Sequence, residues 1–421
     1  MALDNLELVP LTALIASPVL DRAGERLGRV DDVIVRLRDG GYPPITGLRL
    51  RLSGRNVFVP TDSVSDLSPG HVQLAGETLN MQRFERRQGE VLLREDVLDR
   101  KLINVEAGRL VNANDVAIAR VGGKWRVVGV DTSPRRRLQR LLPGRPPRRL
   151  DAKAVLDWSG VEPFVGHVPT ARLLLPLRRI RRLHPAQIAD LVEAASHEQG
   201  EEIIEAVHAD PELEADVFEE LDPEHQVEFL RSRPDEEAAK ILAEMGADDA
   251  ADLITELDQD RRAAILALLP AKQQAKVRGL LAYNPGTAGG LMSPDFVAVS
   301  GDSTVAAALQ RVRRADLPNP VLTTIFVGDD EQRLRGSVSL PALIAAEPTE
   351  RVEGLLDSTQ ARLRVDDDLS DVALFMTDYN MTAAPVVDAD GHLVGVVTVD
   401  DVLEAILPDE WRRRAEAAAS E

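Results

Sequence analysis

The sequence predicts a multidomain α+β protein. Two related small β-barrels, which arise from a duplication, precede a superhelix of short α-helices and two α/β units. Three patterns support this prediction: hydrophobic alternation in the first third, a regularly spaced turn element in the middle, and a repeated strand–helix order in the last third. At 421 residues the chain is too long for one core, so several domains of ordinary size are expected.

The first third has the alternating apolar and polar residues of half-buried strands, as in VDDVIVRLR and RNVFVP. SPVLDRAGERLGRVDDVIV is echoed by KLINVEAGRLVNANDVAIA about 80 residues later, which indicates an internal duplication. We therefore predict one barrel over residues 1–90 and a second over 91–170. Both halves resemble PRC-barrel domains through a Gly-Arg turn and a long strand led by Asp (Gly28, Arg29 and Asp32; Gly108, Arg109 and Asp115).

An arginine-rich segment interrupts the second barrel, with seven arginines between Arg135 and Arg149 and no acidic residue. Guanidinium groups in this density suit an anionic partner, such as lipid headgroups, an acidic face of the same protein, or RNA phosphates. A solvated linker is an equally good interpretation. RNA ranks lowest because the chain has only 3 Trp, 3 Tyr and 8 Phe for base stacking.

The middle of the chain, residues 180–282, has a turn element at a constant interval: LDPE at 221, RPDE at 233, MGAD at 245, LDQD at 257 and LPAK at 269. Each turn precedes an amphipathic stretch of about two helical turns. Helices this short are not stable alone in water, so neighbouring repeats must stack on one another. The middle is therefore predicted to be a helical superhelix.

Two neighbouring parts of the chain are strongly acidic. Residues 193–260 hold 24 acidic and 3 basic side chains, and residues 285–410 hold 22 and 8. Such parts repel each other unless counter-ions collect between them, which would favour closure when divalent cations bind. Solvated acidic helix faces are the alternative. Asp248 and Asp252 are four residues apart on one helix face, which Asp249 and Glu256 extend.

The last third, residues 283–410, contains two βαββα units, and this pattern resembles a pair of CBS domains. LHPAQIADL and GADDAADLITEL in the superhelix, together with YNPGTAGGLMSP after it, resemble the cytosolic half of MgtE-type magnesium channels. That family continues into a membrane pore, whereas here only a predicted polar helix end at 411–421 follows. We therefore expect the regulatory part of such a channel without its pore.

The CBS resemblance implies one adenine-nucleotide site. The Thr-x-x-Asp that holds ribose in nucleotide-binding relatives is present in the second repeat, as Thr398 and Asp401. The first repeat has Ser339 but carries Ala342 where the acid belongs. At most one nucleotide, such as ATP, is therefore expected.

The MgtE resemblance also implies Mg²⁺ between the superhelix and the second CBS repeat. Its ligands would be carboxylates and one backbone carbonyl, from Asp248, Asp252, Gly289, Asp388, Asp390, Asp400 and Glu404. The residues alone leave structural alternatives open. Asp388-Ala-Asp390-Gly391 is also a good hairpin turn, and Asp400 and Asp401 suit the start of a helix. The sequence does not choose between Mg²⁺ and Mn²⁺.

Composition limits the location and class of the protein. No run reaches the roughly 18 apolar residues of a membrane-spanning helix, the N-terminus lacks a signal-peptide pattern, and there is no Cys. We therefore expect a cytoplasmic protein, peripheral at the inner face of the membrane if the arginine-rich segment binds lipid. We expect no enzyme, because no nucleophile–base pair, phosphate loop or catalytic metal spacing is present.

The function that follows is a magnesium-sensing regulator that controls, or forms a subunit of, a membrane divalent-cation transporter. The barrels would dock this transporter in trans, and the CBS pair would form a homodimer, as the resemblance implies. The alternative is an adenine-nucleotide-sensing CBS scaffold for cytosolic partners.

Overall fold

The computed structural model describes most of the chain, namely residues 3, 6–37, 41–52, 54–76, 84–135, 150–164, 168, 179–315, 317, 319–329, 331–356 and 361–407. The predicted arginine-rich segment beyond Arg135 and the predicted polar helix end at 411–421 lie outside these residues. The chain forms two compact units, Met1–Leu213 and Glu214–Glu421.

Unit 1 is built mainly from strands. Its described strands are β1 Val9–Pro10, β2 Pro18–Leu20, β3 Arg26–Arg36, β4 Ile45–Leu52, β5 Arg55–Pro60, β6 Val64–Ser68, β7 His71–Leu74, β8 Glu90–Leu92, β9 Lys101–Asn104, β10 Arg109–Asn112, β11 Asp115–Val121, β12 Lys124–Asp131, β13 Val155–Asp157 and β14 Val161–Pro163. They form a seven-stranded sheet along β5-β4-β3-β2-β7-β6, with β8 also on β3. The other two sheets are β1-β11-β12-β13 and β10-β9-β14.

The two halves of unit 1 exchange strands. The N-terminal β1 pairs with β11 of the second half, and β8 pairs with the end of β3 in the first half. The predicted module boundary at 90/91 therefore falls inside β8. Because each half lends a strand to the other, the described strands form open sheets rather than the two closed barrels that the sequence predicted.

Two buried aspartates fix this exchange in matching ways. Asp32 accepts hydrogen bonds from the amides of Arg94 and Glu95, which follow β8. Asp115 accepts from the amide and hydroxyl of Thr12, in the short helix α1 (Leu11–Leu14) that follows β1. Both carboxylates are fully buried, so each half supplies the hydrogen-bond acceptor for the connection that enters from the other half.

Two helices complete unit 1, α2 Pro185–Glu193 and α3 His197–Val207. The guanidinium of Arg181 donates two hydrogen bonds, of 2.9 and 2.7 Å, to the carbonyl of Ala206 at the end of α3. Lys101 of β9 donates to the carbonyl of Ala194, which follows α2. Both contacts place a cation at the carbonyl end of a helix, and the Lys101 contact also joins α2 to a sheet.

Unit 2 begins within α4 (Pro211–Glu219) and continues as a ladder of short helices. These are α5 Pro223–Arg231, α6 Asp235–Glu244, α7 Ala247–Glu256, α8 Gln259–Leu268 and α9 Ala271–Leu280. The helices α5 to α9 begin at the same constant interval as the turn elements, as the sequence period predicts. Each packs against the next helix but one, so that α7 contacts both α5 and α9.

The rest of unit 2 is a pair of βαββα repeats, preceded by the short helix α10 Ala288–Leu291. The first repeat contains β15 Ala298–Ser300, α11 Val305–Arg314, α12 Asn319–Leu322, β16 Thr324–Gly328, β17 Leu334–Ser339 and α13 Leu340–Ala345. The second contains β18 Leu363–Arg364, α14 Leu369–Asp378, β19 Ala383–Val387, β20 Leu393–Thr398 and α15 Val399–Ile406. In both sheets the first pair of strands is parallel and the second is antiparallel.

The predicted mixed class, with a short-helix ladder and a CBS-type pair after an N-terminal β region, is confirmed. Within the described part of the chain, no helix has both the length and the apolar character needed to cross a bilayer.

Candidate functional site: an acidic cluster between the ladder and the second repeat

The start of α7 gathers three carboxylates around Gly246. Gly246 is the N-cap residue, and its amide donates a 2.6 Å hydrogen bond to Glu219 Oε1 at the end of α4. Asp248 and Asp249 occupy the first turn, where the positive end of the helix dipole favours acidic side chains. A Cβ placed on Gly246 would lie 2.8 Å from Asp249 Oδ2, 3.1 Å from Asp248 Oδ1 and 3.7 Å from Glu219 Oε1. All three carboxylates therefore converge on one point.

The start of α15 supplies a further buried carboxylate. Asp401 Oδ2 accepts hydrogen bonds from the amide of Thr398 at 3.0 Å and from its hydroxyl at 2.6 Å. Thr398 itself is buried. This arrangement caps α15, and it fixes the Asp401 side chain in a single position.

The start of α15 lies close enough to the first turn of α7 for its carboxylates to act on Asp249. Burial, followed by the charges of Asp248, Glu219, Asp401 and Glu404, raises the pKa of Asp249 well above its usual value. Glu219 belongs to α4, whereas Asp401 and Glu404 belong to α15. The first turn of α7 is therefore the place where the ladder meets the second repeat.

The other members of the cluster are perturbed in the same direction. Burial, together with the charges of Asp252 and Asp295, raises the pKa of Asp248 to about 6. Burial and the charges of Glu404 and Glu256 raise the pKa of Asp252 to about 6. At two positions of α7 one turn apart, the carboxyls therefore stay protonated to a higher pH than an exposed aspartate does.

Two groups titrate near neutral pH. Burial, together with the charges of Asp216 and Asp248, raises the pKa of Glu219 to about 7, even though the hydrogen bond from Gly246 acts to lower it. Burial also raises the pKa of Asp401 to about 7, against the two hydrogen bonds from Thr398. A carboxylate with this perturbation, in contact with others of its kind, is typical of a functional site.

Among the described residues, one lysine lies close to this group. Lys276 of α9 contacts Asp295 at 2.7 and 2.5 Å. We call the set the acidic cluster and define it as Glu219, Asp248, Asp249, Asp252, Asp295, Asp401 and Glu404. Lys276 offsets part of the negative charge of this cluster.

The donor set of the acidic cluster fits a hard divalent cation. All the side-chain donors are carboxylate oxygens, which Mg²⁺ prefers, and Mg²⁺ is commonly bound through one or two carboxylates with waters completing the octahedron. Within the described residues, no three carboxylates of the cluster place one oxygen each within 4.8 Å of one another. This spacing suits a hydrated ion rather than a fully dehydrated one.

The structure separates the predicted metal ligands into different places. Asp248, Asp252 and Glu404 lie in the acidic cluster, and Asp400 is exposed beside it, where its charge contributes to the raised pKa of Asp401. Gly289 lies in α10, where its amide donates to the carbonyl of Val365.

Asp388 and Asp390 lie in the β19–β20 hairpin, at the opposite end of β20 from Thr398. The six residues of β20 put these two ends about 17 Å apart. With His392 they form a trio whose donor atoms lie within 4.8 Å of one another. Asp388 accepts from the amides of Asp390 and His392 and contacts the His392 ring, as the turn interpretation of this sequence predicts. Against a small effect of burial, these hydrogen bonds lower the pKa of Asp388.

Sequence reasoning missed part of the acidic cluster. Glu219 and Asp295 are separated from α7 along the chain, and only the tertiary fold brings them near it. Asp401 was predicted to hold ribose or to begin a helix, and was not among the predicted metal ligands. The equivalent position in the first repeat is Ala342, whose amide donates a hydrogen bond to the Ser339 hydroxyl.

The comparisons with known proteins agree with this architecture. Residues 183–286 match the family model of the MgtE intracellular N domain, and residues 288–348 and 361–408 match the CBS domain. The PRC-barrel resemblance of the first third stays a prediction.

Two curated relatives match part of the chain. The magnesium transporter MgtE of Thermus thermophilus is 43% identical over 131 residues, which is 31% of this chain and 29% of that protein. MgtE of Enterococcus faecalis is 35% identical over 132 residues, again 31% of this chain and 29% of that protein. The chain therefore spans less than a third of the length of the curated relatives it matches.

Two similar solved structures cover a larger share of this chain than these relatives do. The cytosolic domain of the Mg²⁺ channel MgtE in complex with ATP is 35% identical with a TM-score of 0.51, covering 55% of this chain and 95% of that one. The soluble part of a magnesium transporter is 29% identical with a TM-score of 0.50, covering 55% and 90%.

Proposed function

We propose that this chain, which contains an MgtE intracellular N domain followed by a CBS pair, is a magnesium-sensing regulator of a membrane divalent-cation transporter. It would control such a transporter in trans or form one of its subunits, from the cytoplasmic face. The observation that carries the proposal is the acidic cluster, in which carboxylates from α4, α7 and α15 repel one another across the contact between the ladder and the second CBS repeat.

Mg²⁺ would be held chiefly by Asp248, Asp249 and Asp252 on one side and by Asp401 and Glu404 on the other. The bound ion would supply positive charge that offsets the repulsion. Because this repulsion is felt only when α7 lies against α15, a cation favours the closed arrangement over the open one. The protein would thereby convert magnesium concentration into a conformational population.

The test is thermal unfolding of the purified chain in chelator and in rising Mg²⁺, at constant ionic strength. The unfolding midpoint of the wild type should rise with Mg²⁺ in the millimolar range, since a ligand that binds only the folded form stabilises it by mass action. The variant D248N/D252N should be at least as stable as the wild type in chelator and should lose most of the response to Mg²⁺.

The chain offers a matched control. Asp248 and Asp249 of α7 have counterparts one repeat earlier in the chain, in α6. These counterparts are Glu236 and Glu237, and both are exposed. The variant E236Q/E237Q should keep the full Mg²⁺ response. Equal responses from the wild type, D248N/D252N and E236Q/E237Q would mean that the ion acts elsewhere.

A second candidate function is adenine-nucleotide sensing through the second CBS repeat. Thr398 and Asp401 hold each other in the geometry of a helix cap, and the similar cytosolic domain described above was solved with ATP. Calorimetric titration of ATP into the wild type and into T398A in chelator would test it. Nucleotide binding without any Mg²⁺ effect on stability would favour this function over magnesium sensing.

We also propose that the CBS pair forms a homodimer. Large apolar side chains are exposed on its helices, namely Leu374 and Tyr379 at α14 and Leu403 and Ile406 on α15. A second copy of the chain would cover them. Sedimentation equilibrium should report a dimer for the wild type and a monomer for L374E/L403E, and a wild-type monomer would contradict the proposal.

A further inference from the structure

One end of the seven-stranded sheet in unit 1 carries several exposed arginines. Arg29 of β3 lies directly opposite Arg51 of β4, so that two like charges form a cross-strand pair. Such pairs have Cβ atoms about 5 Å apart and destabilise a sheet unless an anion compensates them. Both side chains are exposed.

Another arginine on the same ladder, beyond the Val30–Leu50 pair, shows the contrast. Arg49, which lies opposite Asp32, contacts Asp31 at 2.6 Å and Glu95 at 2.9 Å. For Arg29 and Arg51, no carboxylate of the described residues lies within ion-pair distance. The sheet therefore neutralises the inner arginine and leaves the outer pair to solvent.

The β2–β3 and β4–β5 turns lie at this same end, because β3 and β4 are antiparallel. These turns and the strand ends beside them add further exposed arginines. We call this surface the hairpin end and define it as Arg22, Arg26, Arg29, Arg51 and Arg55. The only acidic side chains in the described turns are Asp21 and Glu25, and Asp21 is engaged by the Glu25 amide. One large apolar side chain, Leu27, is exposed among the arginines.

We propose that the hairpin end binds an anionic lipid surface, with the arginines contacting headgroup phosphates and Leu27 entering the interface. A bilayer interface accepts cations and an apolar side chain at adjacent depths, which favours it over an acidic protein or a polynucleotide as the partner. On a chain of net charge −20, five arginines at one end also orient the approach to such a surface. This inference rests on the proposed function only in placing the chain beside a membrane.

The test is flotation of the full chain with vesicles of phosphatidylcholine alone and of phosphatidylcholine with about a third phosphatidylglycerol. The experiment is done in chelator, so that divalent ions cannot bridge acidic residues to lipid. Wild-type protein should float with the anionic vesicles, less so at high salt, and should not float with the neutral ones. The variant R29Q/R51Q/R55Q should lose binding by on the order of tenfold or more, since each basic residue near an anionic surface contributes severalfold.

Controls separate the surface from general charge and from misfolding. The variant R311Q/R313Q/R314Q removes three exposed arginines of α11 in unit 2 and should float as the wild type does. Leu27→Ser should weaken flotation without a change of charge. The unfolding midpoint of R29Q/R51Q/R55Q should not fall, because a like-charged pair has been removed.

Three results would overturn the inference: no flotation of the folded wild type, unchanged flotation of R29Q/R51Q/R55Q, or an equal loss in the α11 control. The outcome is distinguishable from failure of magnesium sensing. D248N/D252N should float normally while losing its Mg²⁺ response, and R29Q/R51Q/R55Q should show the reverse.

Discussion

The acidic cluster and the β19–β20 hairpin are both rich in aspartate, and both contain residues that the sequence predicts as metal ligands. The pKa values of their carboxyls are nevertheless shifted in opposite directions. In the hairpin, hydrogen bonds from the turn itself lower the pKa of Asp388. In the cluster, burial and repulsion raise the pKa of Asp248, Asp249 and Asp252. Backbone amides donate to carboxylates in both places, as Gly246 does to Glu219 and Thr398 to Asp401 in the cluster, so what distinguishes the two is burial and repulsion between neighbouring carboxylates.

The largest effect is expected in the pH dependence of the free energy of unfolding. A carboxyl whose pKa is raised by folding contributes fully to stability when the pH is below its pKa in the unfolded chain, near 3.8 for Asp and 4.5 for Glu. This contribution is lost as the pH rises through the pKa in the folded chain, about 6 for Asp248 and about 7 for Glu219. In chelator, the chain should therefore be more stable at pH 5.5 than at pH 8, by about 3 kcal/mol. Asp388, with its lowered pKa, acts in the opposite direction and loses its contribution only in acid.

The measurement is denaturant unfolding at both pH values, with and without Mg²⁺. Saturating Mg²⁺ at pH 8 should remove most of the difference, since the ion and the proton offset the same repulsion. A pH dependence that is identical in D248N/D252N and in E236Q/E237Q would assign the effect to general surface charge instead.

Single neutralising substitutions should change stability with opposite signs at the two places. Asp249→Asn removes one buried negative charge that faces Glu219, Asp401 and Glu404, so the free energy of unfolding in chelator should rise by about 1–2 kcal/mol. Chemical denaturation at pH 8 measures it. A loss of stability in chelator would show that Asp249 is compensated in the metal-free fold.

In the hairpin, Asp388→Ala should lower the free energy of unfolding by about 1 kcal/mol, because the amides of Asp390 and His392 lose their acceptor. The loss should be the same in chelator and in Mg²⁺. If it depended on Mg²⁺, the hairpin trio would have to be counted as a cation site.

The smallest effect is expected at Gly246. In Gly246→Ala the new Cβ would approach the Asp249 and Asp248 carboxylates, which must turn aside, and alanine is a poorer N-cap than glycine. Stability should fall by about 1 kcal/mol or less, while the Mg²⁺ concentration at half-response should rise. An unchanged half-response would show that the positions of these two carboxylates are not critical.

Much of unit 2 could be predicted from the sequence because its signals are local. The turn elements repeat at a constant interval, and the helices begin with the same period. The two βαββα repeats follow from strand and helix patterns within short, separate stretches of the chain. Asp248 and Asp252 could be placed on one face from helical spacing alone, and the structure puts both in the acidic cluster.

The remainder of the acidic cluster depends on contacts between residues distant in the chain. Glu219 approaches the start of α7 because α4 precedes it in the ladder, and Asp295 approaches through Lys276 of α9. No spacing rule predicts either. In unit 1, likewise, alternation predicted strands such as β3 and β4, but it could not show which half each short strand would join.

The strand exchange in unit 1 makes its two halves obligate partners. The first half lacks the acceptor for its own α1 and finds it in Asp115, and the second finds the acceptor for the connection after β8 in Asp32. Neither half carries a complete set of interactions in its own sequence. Severing the chain between them should therefore give two fragments that complement each other, as in a split protein, rather than one folded piece and one unfolded piece.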